Sequence, residues 1–215
     1  MACSAQLEMR LVAEGYKLIA GADEVGRGAM AGPLVAAAVI LDLACAPRGI
    51  DDSKKLSRNQ RERLAEEIKQ RAVAFSITRI EPEEIDRINI HRASLRAMGL
   101  AAKALRPLPE YVLIDGKFKV PDATCPQMSI IKGDGLSISI AAASIIAKVA
   151  RDEWMREYDT EYPGYGFARH VGYCTRAHKQ SLARLGPSPI HRMSFQDVHS
   201  YQYLLDLTGE EEDPA

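Results

Sequence analysis

The sequence predicts an α/β fold in which a single sheet is covered on both faces. Five short runs rich in apolar and β-branched residues, 17–22, 34–41, 73–80, 111–114 and 128–131, alternate with longer stretches of helical character. The last two, Tyr111-Val112-Leu113-Ile114 and Met128-Ser129-Ile130-Ile131, are bounded by Gly, Pro and Asp and read as buried strands. A long helix over 137–159 opens with Ala141-Ala142-Ala143-Ser144-Ile145-Ile146-Ala147, small enough to lie tight against that sheet.

In chain order, 17–22 and 34–41 are joined by a Gly-rich segment ending in Gly32-Pro33, which predicts neighbouring antiparallel strands. Ser57 and Gln60 make a capping box, and Leu64 and Ile68 share one face, so 58–71 is an amphipathic helix. Pro82 starts a further helix or pair of helices carrying Ile88, Leu95, Met98, Ala102 and Leu105, which Pro107 and Pro109 stop. The runs at 111 and 128 each lead to an acid, Asp115 in Ile-Asp-Gly and Asp134 in Lys-Gly-Asp. Past Pro163 the composition changes. From Tyr162 to Gln196 there is no Asp or Glu, while Arg169, Arg176, Lys179, Arg184 and Arg192 stand among His170, His178 and His191. Tyr165, Phe167, Tyr173 and Phe195 are interleaved, the pattern of a surface that grips a nucleic-acid backbone.

The 215 residues suffice for one large domain, or one domain with an appendage, and the net charge of -1 advertises no global affinity for nucleic acid. Cys3, Cys45, Cys125 and Cys174 keep no metal-site spacing, which predicts reduced thiols. No apolar stretch approaches the roughly 20 residues of a membrane span, and the N-terminus lacks a signal pattern, so a cytoplasmic protein is expected.

The chemistry concentrates in Ala22-Asp23-Glu24-Val25-Gly26-Arg27-Gly28. Adjacent carboxylates repel and raise each other's pKa unless a divalent ion neutralises them, and hard oxygen donors suit magnesium or manganese. Arg27 offers a phosphate partner, and Gly26 and Gly28 let a polymer backbone approach the peptide N–H groups. Asp23, Glu24, Asp115 and Asp134 lie at or just beyond predicted strand ends and are expected to converge. Adjacent strand residues face opposite ways, so Asp23 and Glu24 share a cluster only if the backbone bends at Glu24. Gly26-x-Gly28-x-x-Ala31 formally matches a dinucleotide fingerprint, but a strand-like run rather than a helix follows it. Asp51-Asp52-Ser53-Lys54-Lys55-Leu56 reads as a solvated loop or as a supplier of Lys54, Lys55 and the Ser53 hydroxyl to phosphates. His178 and His191 lack zinc-ligand spacing and are expected at the surface or on phosphates.

Together these segments resemble ribonuclease HII, the bacterial type 2 ribonuclease H. The similarity is carried by Ala22-Asp-Glu-Val-Gly-Arg-Gly28, Gly32-Pro-Leu-Val-Ala-Ala37, Asp52-Ser-Lys-Lys-Leu56, Ile114-Asp-Gly116, Lys132-Gly-Asp134, the stretch Ser139 to Asp152, Tyr165-Gly-Phe167 and Gly186-Pro-Ser-Pro-Ile-His-Arg192. The resemblance implies a ribonuclease H-like five-stranded mixed sheet flanked by helices, with a helical C-terminal extension. Composition and resemblance together lead us to expect an N-terminal segment (1–16), a catalytic domain (17–160), the basic helical extension (161–207) and a disordered acidic tail (208–215). The resemblance implies endonucleolytic cleavage of RNA in RNA-DNA hybrids and at single ribonucleotides in duplex DNA, using two Mg2+ or Mn2+ ions; a monomer is expected. Asp23, Glu24, Asp115 and Asp134 match the family's metal-binding carboxylates, Gly26-Arg27-Gly28 the loop that reads the 2′-hydroxyl, and Tyr173 the tyrosine on the junction sugar. Ser53, Lys54, Lys55, His178 and Arg192 complete the expected substrate contacts. Val171 stands where many relatives have lysine, and Gly135-Leu136 where small or basic residues are common.

Overall fold

The computed structural model describes residues 3–200, so the reading of 208–215 as a disordered tail lies outside the described residues. One mixed sheet organises the chain, built from β1 (Ile19–Val25), β2 (Leu34–Leu41), β3 (Ala72–Ile80), β4 (Tyr111–Asp115) and β5 (Gln127–Ile130) in the order β3-β2-β1-β4-β5. β1 pairs antiparallel with β2, and β2 with β3, while β4 runs parallel to β1 and β5 to β4. The C-terminal ends of β1, β4 and β5 therefore share one edge, where open α/β sheets place ligands.

The helices are α1 (Gln6–Ala13), α2 (Arg58–Arg71), α3 (Pro82–Ile88), α4 (Ile90–Ala104), α5 (Ile138–Glu161), α6 (Phe167–His170) and α7 (Arg176–Leu185). α2 starts at the expected capping box: Gln60 N–H donates to Ser57 Oγ at 3.3 Å and Ser57 N–H to Gln60 Oε1 at 2.8 Å. The stretch from Pro82 is a pair of helices because Asn89 adopts φ 68° and its side chain accepts the Arg92 N–H at 3.0 Å, capping α4. Alternation along the strands makes two cores. Ala20, Ala22, Ala36 and Ala38 pack with α4 on one face, and Val35, Ala37 and Val39 with α2 and α5 on the other. α5 lies close to the sheet: a Cβ added at Gly21 would fall 2.2 Å from the Ser139 carbonyl carbon.

Two expectations need correction. β1 runs past residue 22 to Val25, because the ladder with β2 continues through Asp23↔Ala37 and Glu24↔Ala36. β5 is an edge strand rather than one buried on both faces, with Met128 36% exposed. The N-terminal segment contains α1, whose Leu11 packs on Ile19, Leu113 and Ile140. Among the described residues no helix is long and apolar enough to cross a membrane.

Candidate active site

Asp23 and Glu24 occupy the end of β1, Asp115 is the last residue of β4, and Asp134 lies in the 3₁₀ turn Gly133–Gly135 after β5. The bend at Glu24 on which a cluster shared by Asp23 and Glu24 depends is absent: the β1–β2 register stays regular to Val25↔Val35. Asp23 and Glu24 thus leave the strand on opposite faces, Asp23 toward the Ser144 hydroxyl of α5 and Glu24 toward Ser94 of α4.

The neighbouring strand brings the acids into one field. Burial holds the Asp23 carboxyl well above its ordinary pKa, the charges of Asp115 and Glu24 push the same way, and the Ser144 hydroxyl opposes them. Burial likewise raises Glu24, against the Ser94 hydroxyl and with Asp115. Asp115 is raised by burial and by Asp134, against the Gly133 N–H. That N–H donates to Asp115 Oδ1 at 2.6 Å and so ties the turn carrying Asp134 to the end of β4. A side chain at Gly133 would meet Ile140 Cδ1 at 2.6 Å.

Lys54 Nζ donates to Asp134 Oδ2 at 2.8 Å, placing one ammonium on the acid set. Among the described residues no three His, Cys, Asp or Glu side chains stand close enough to share one ion as they are placed. The donor chemistry nevertheless fits a hard divalent cation: the partners are carboxylates held at one edge against repulsion and desolvation, and bound Mg2+ or Mn2+ would reverse their upward shifts. Beside Asp134 a cavity of about 480 Å³ is lined by Asp52, Lys54, Lys55, Lys132 and Leu136.

Two buried arginines shape the loop after β1. Arg151 donates to the carbonyls of Pro33 (2.9 Å), Val171 (2.8 Å) and Ala31 (3.1 Å). Arg192 donates twice to Gly32 O (3.0 and 2.9 Å) and once to Arg27 O (3.2 Å). Gly26, at φ 88°, lies so close to Arg151 that a Cβ there would sit 2.1 Å from Nε. Gly28 differs, since a Cβ there would meet nothing within 4 Å. The loop bridges Ala29 to Tyr173, whose half-buried ring lies 5.5 Å from the Arg151 guanidinium and 5.9 Å from Lys148 Nζ. Arg27 is exposed, 3.6 Å from Glu24 Oε1, and Lys55 pairs with Asp51 at 3.0 Å.

Several expected substrate contacts are structural instead. Ser53 is buried, its Oγ 3.0 Å from Ser144 Oγ, so its hydroxyl supports the side chain beside Asp23 and is not free for phosphate. Arg192 is 0% exposed, its guanidinium committed to the carbonyls above. His178 is also fully buried. Ser188 N–H donates to His191 Nδ1 (2.9 Å), which assigns the proton of His191 to Nε2; that proton goes to His178 Nε2 (3.1 Å), and His178 Nδ1–H donates to Tyr173 O (3.0 Å). Burial pushes both imidazoles down to about 4. Tyr165 and Phe167 are core residues beside this pair and are not available for stacking on bases.

Sequence reasoning assigned no role to Arg151, which stands between Lys148 and Asp152 like an ordinary charge on an exposed helix face. Ser94, Ser144 and Glu8 carried no signal. Glu8 Oε1 accepts from Ser137 Oγ (2.5 Å) and Ser139 N (3.0 Å), securing the start of α5 just after Asp134.

A family model described as Ribonuclease HII matches residues 20–198. The chain belongs to the ribonuclease HII family. The matched span contains all four acids, the Gly26–Gly28 loop and Tyr173. A ribonuclease HII of Anaeromyxobacter sp. is 55% identical over 91% of this chain and 62% of its own length. One of Syntrophomonas wolfei is 53% identical over 86% of this chain and 72% of its own. This chain thus spans under two thirds of the first relative's length and more of the second's. In fold it is similar to the crystal structure of ribonuclease H2 from Pyrococcus horikoshii OT3, with TM-score 0.76, 24% identity, and 88% of this chain and 99% of that chain covered.

Proposed function

We propose that this chain is a metal-dependent endonuclease that hydrolyses the RNA strand of RNA-DNA hybrids and cuts at single ribonucleotides embedded in duplex DNA, leaving 3′-hydroxyl and 5′-phosphate ends. The observation that carries this reading is the position of Asp115, whose charge acts on Asp23 and Glu24 from the adjacent parallel strand while its own carboxylate holds the turn bearing Asp134. A binding module without catalysis would gain nothing from this gathering, because uncompensated carboxylates repel phosphate.

Asp23 and Asp115 would be the principal ligands of two Mg2+ or Mn2+ ions, with Asp134 completing one site and Glu24, from the opposite face of β1, the other. When bound, the ions supply an activated water for in-line attack and stabilise the leaving 3′-oxygen. Lys54 and Arg27, both exposed at this edge, hold the phosphates on either side. Backbone N–H groups at Gly26 to Gly28 read the 2′-hydroxyl, which only RNA carries, and the open space over Gly28 admits the sugar. Tyr173 packs on the following deoxyribose, and the exposed Arg169, Arg176 and Arg184 bind the backbone beyond it. The 17–160 region thus does the chemistry and the residues after it grip, in a cytoplasmic enzyme acting as a monomer.

The test is a labelled DNA duplex with one ribonucleotide, and in parallel a continuous hybrid, incubated with each metal and mapped at the cut. Cleavage at the ribonucleotide, abolished by EDTA and by Asp115→Asn in a protein that still melts cooperatively, is the expected result. Cleavage retained by Asp115→Asn, or an intact hybrid with the unaltered protein and metal, refutes the assignment.

A further inference from the structure

A second cationic surface borders the acid edge, away from the C-terminal segment, and the mechanism above does not use it. The β4–β5 connection leaves Asp115 directly into Gly116-Lys117-Phe118-Lys119, in which Lys117, Phe118 and Lys119 are exposed. Phe118 is 51% exposed, lies edge-on to His91 with ring centroids 4.8 Å apart, and has Lys117 Nζ 5.8 Å from its ring. His91 and Arg92 lie in the first turn of α4, three and two residues before the Ser94 that reaches Glu24, so this turn stands at the edge carrying the acids. Thr78 donates to Ala97 O and Ser76 to Ala101 O, so α4 runs away from that edge. From it a groove of about 550 Å³ follows the helix past Arg92, Leu95, Lys103 and Pro121, with the exposed Asp122 on its wall.

Among the described residues Arg92, Lys117 and Lys119 have no carboxylate within 4 Å, whereas their neighbour Arg96 is paired with Glu84 at 2.7 Å. Unneutralised cations beside an exposed aromatic suit a polyanion whose sugars or bases can lie on a ring. We infer that Lys117, Phe118, Lys119 and Arg92 form a second arm that binds the phosphate backbone of the duplex flank leaving the active site over the α4 face. This inference rests on the hybrid-cleaving reading. It adds a contact to substrate on the side opposite Tyr173, which packs on the β1–β2 loop.

The experiment measures kcat/KM of the full chain on a long hybrid from about 50 to about 200 mM salt, for the unaltered protein and for Lys117→Ala/Lys119→Ala. Each phosphate contact contributes a slope of about 0.9 in log–log form, so losing two flattens it by about 1.8 and shrinks the advantage of the unaltered protein roughly twelvefold across that range. Phe118→Ala lowers kcat/KM without changing the slope, and Lys117→Arg/Lys119→Arg restores it. On hybrids trimmed to the cut site from one side and then the other, the difference between proteins disappears for one trimming only. An unchanged slope and unchanged kcat/KM on the long hybrid overturns the arm, including when the patch serves an acidic protein instead. If the unaltered protein cuts the hybrid while the variant behaves identically, the arm alone fails; if the unaltered protein does not cut, the functional reading fails.

Discussion

Two glycines one residue apart should fail in different ways when each is given a methyl group. At Gly26 the backbone is left-handed, which costs a non-glycine residue about 1–2 kcal/mol. The new Cβ would also sit 2.1 Å from Arg151 Nε, a buried guanidinium with three carbonyl partners. Loss of even one such charge-assisted bond costs about 1.5–3 kcal/mol. Gly26→Ala is therefore expected to destabilise by about 3–5 kcal/mol, lowering Tm by roughly 6–20 °C in a chain of this size. At Gly28 the backbone is not left-handed and an added Cβ meets nothing, so Gly28→Ala should melt at or slightly above the unaltered protein. Its cost should appear only with substrate, as a fall in kcat/KM of about tenfold or more, because the methyl fills the space through which the sugar approaches. Differential scanning calorimetry and steady-state cleavage of a one-ribonucleotide duplex read the two effects. If Gly28→Ala lowers Tm as Gly26→Ala does, or cleaves normally, the division of the loop into a packed half and a substrate-facing half is wrong.

The His178–His191 pair predicts an acid sensitivity. Their folded pKa of about 4 lies below the unfolded value, so their contribution is present above pH 6.5 and lost as pH falls toward 4, about 2 kcal/mol for each between pH 7 and 5. The raised carboxylates shift stability oppositely, so urea midpoints at the two pH values should be compared with His178→Gln/His191→Gln, in which this part of the slope disappears. Glu8→Ala leaves the buried Ser137 hydroxyl and Ser139 N–H without their acceptor and should cost about 2–3 kcal/mol by urea unfolding; a loss below 0.5 kcal/mol would mean the contact is dispensable. Lys54→Ala frees Asp134 from its ammonium, so half-maximal activity should come at several-fold lower divalent concentration while KM for the hybrid rises. An unchanged metal midpoint would show that the ion pair does not compete.

Local chemistry made much of the fold legible before any coordinates. Ser57 and Gln60 placed the start of α2 because both halves of a capping box lie within one turn, and Gly32-Pro33 marked the hairpin because glycine takes up the left-handed conformation (φ 83° at Gly32) that other residues avoid while proline fixes its own φ. What escaped notice depends on partners distant in the chain. Glu8 reads as an ordinary surface acid until Ser137 and Ser139 are brought to it, and Met128 sits in a short apolar run whose periodicity cannot tell a central strand from an edge. The acids were legible as a set because neighbouring charges beside glycines have few structural uses. Arg192 and His178 were misread for one shared reason: their donors satisfy carbonyl oxygens as readily as phosphate, and the amino-acid string does not disclose which acceptor arrives.

Gly21 acts as a spacer gauge for the edge that carries the acids. Asp134 enters that edge from the turn immediately before α5, and Asp23 lies two residues beyond Gly21 on the strand that the helix's first turn touches. A single methyl group at residue 21 would lift the helix by on the order of 1 Å, because a close-packed interior has no slack to absorb it. Displacements of that size are enough to cost about a hundredfold in rate. The separation between the two halves of the acid set is thus calibrated by a missing side chain that touches neither of them.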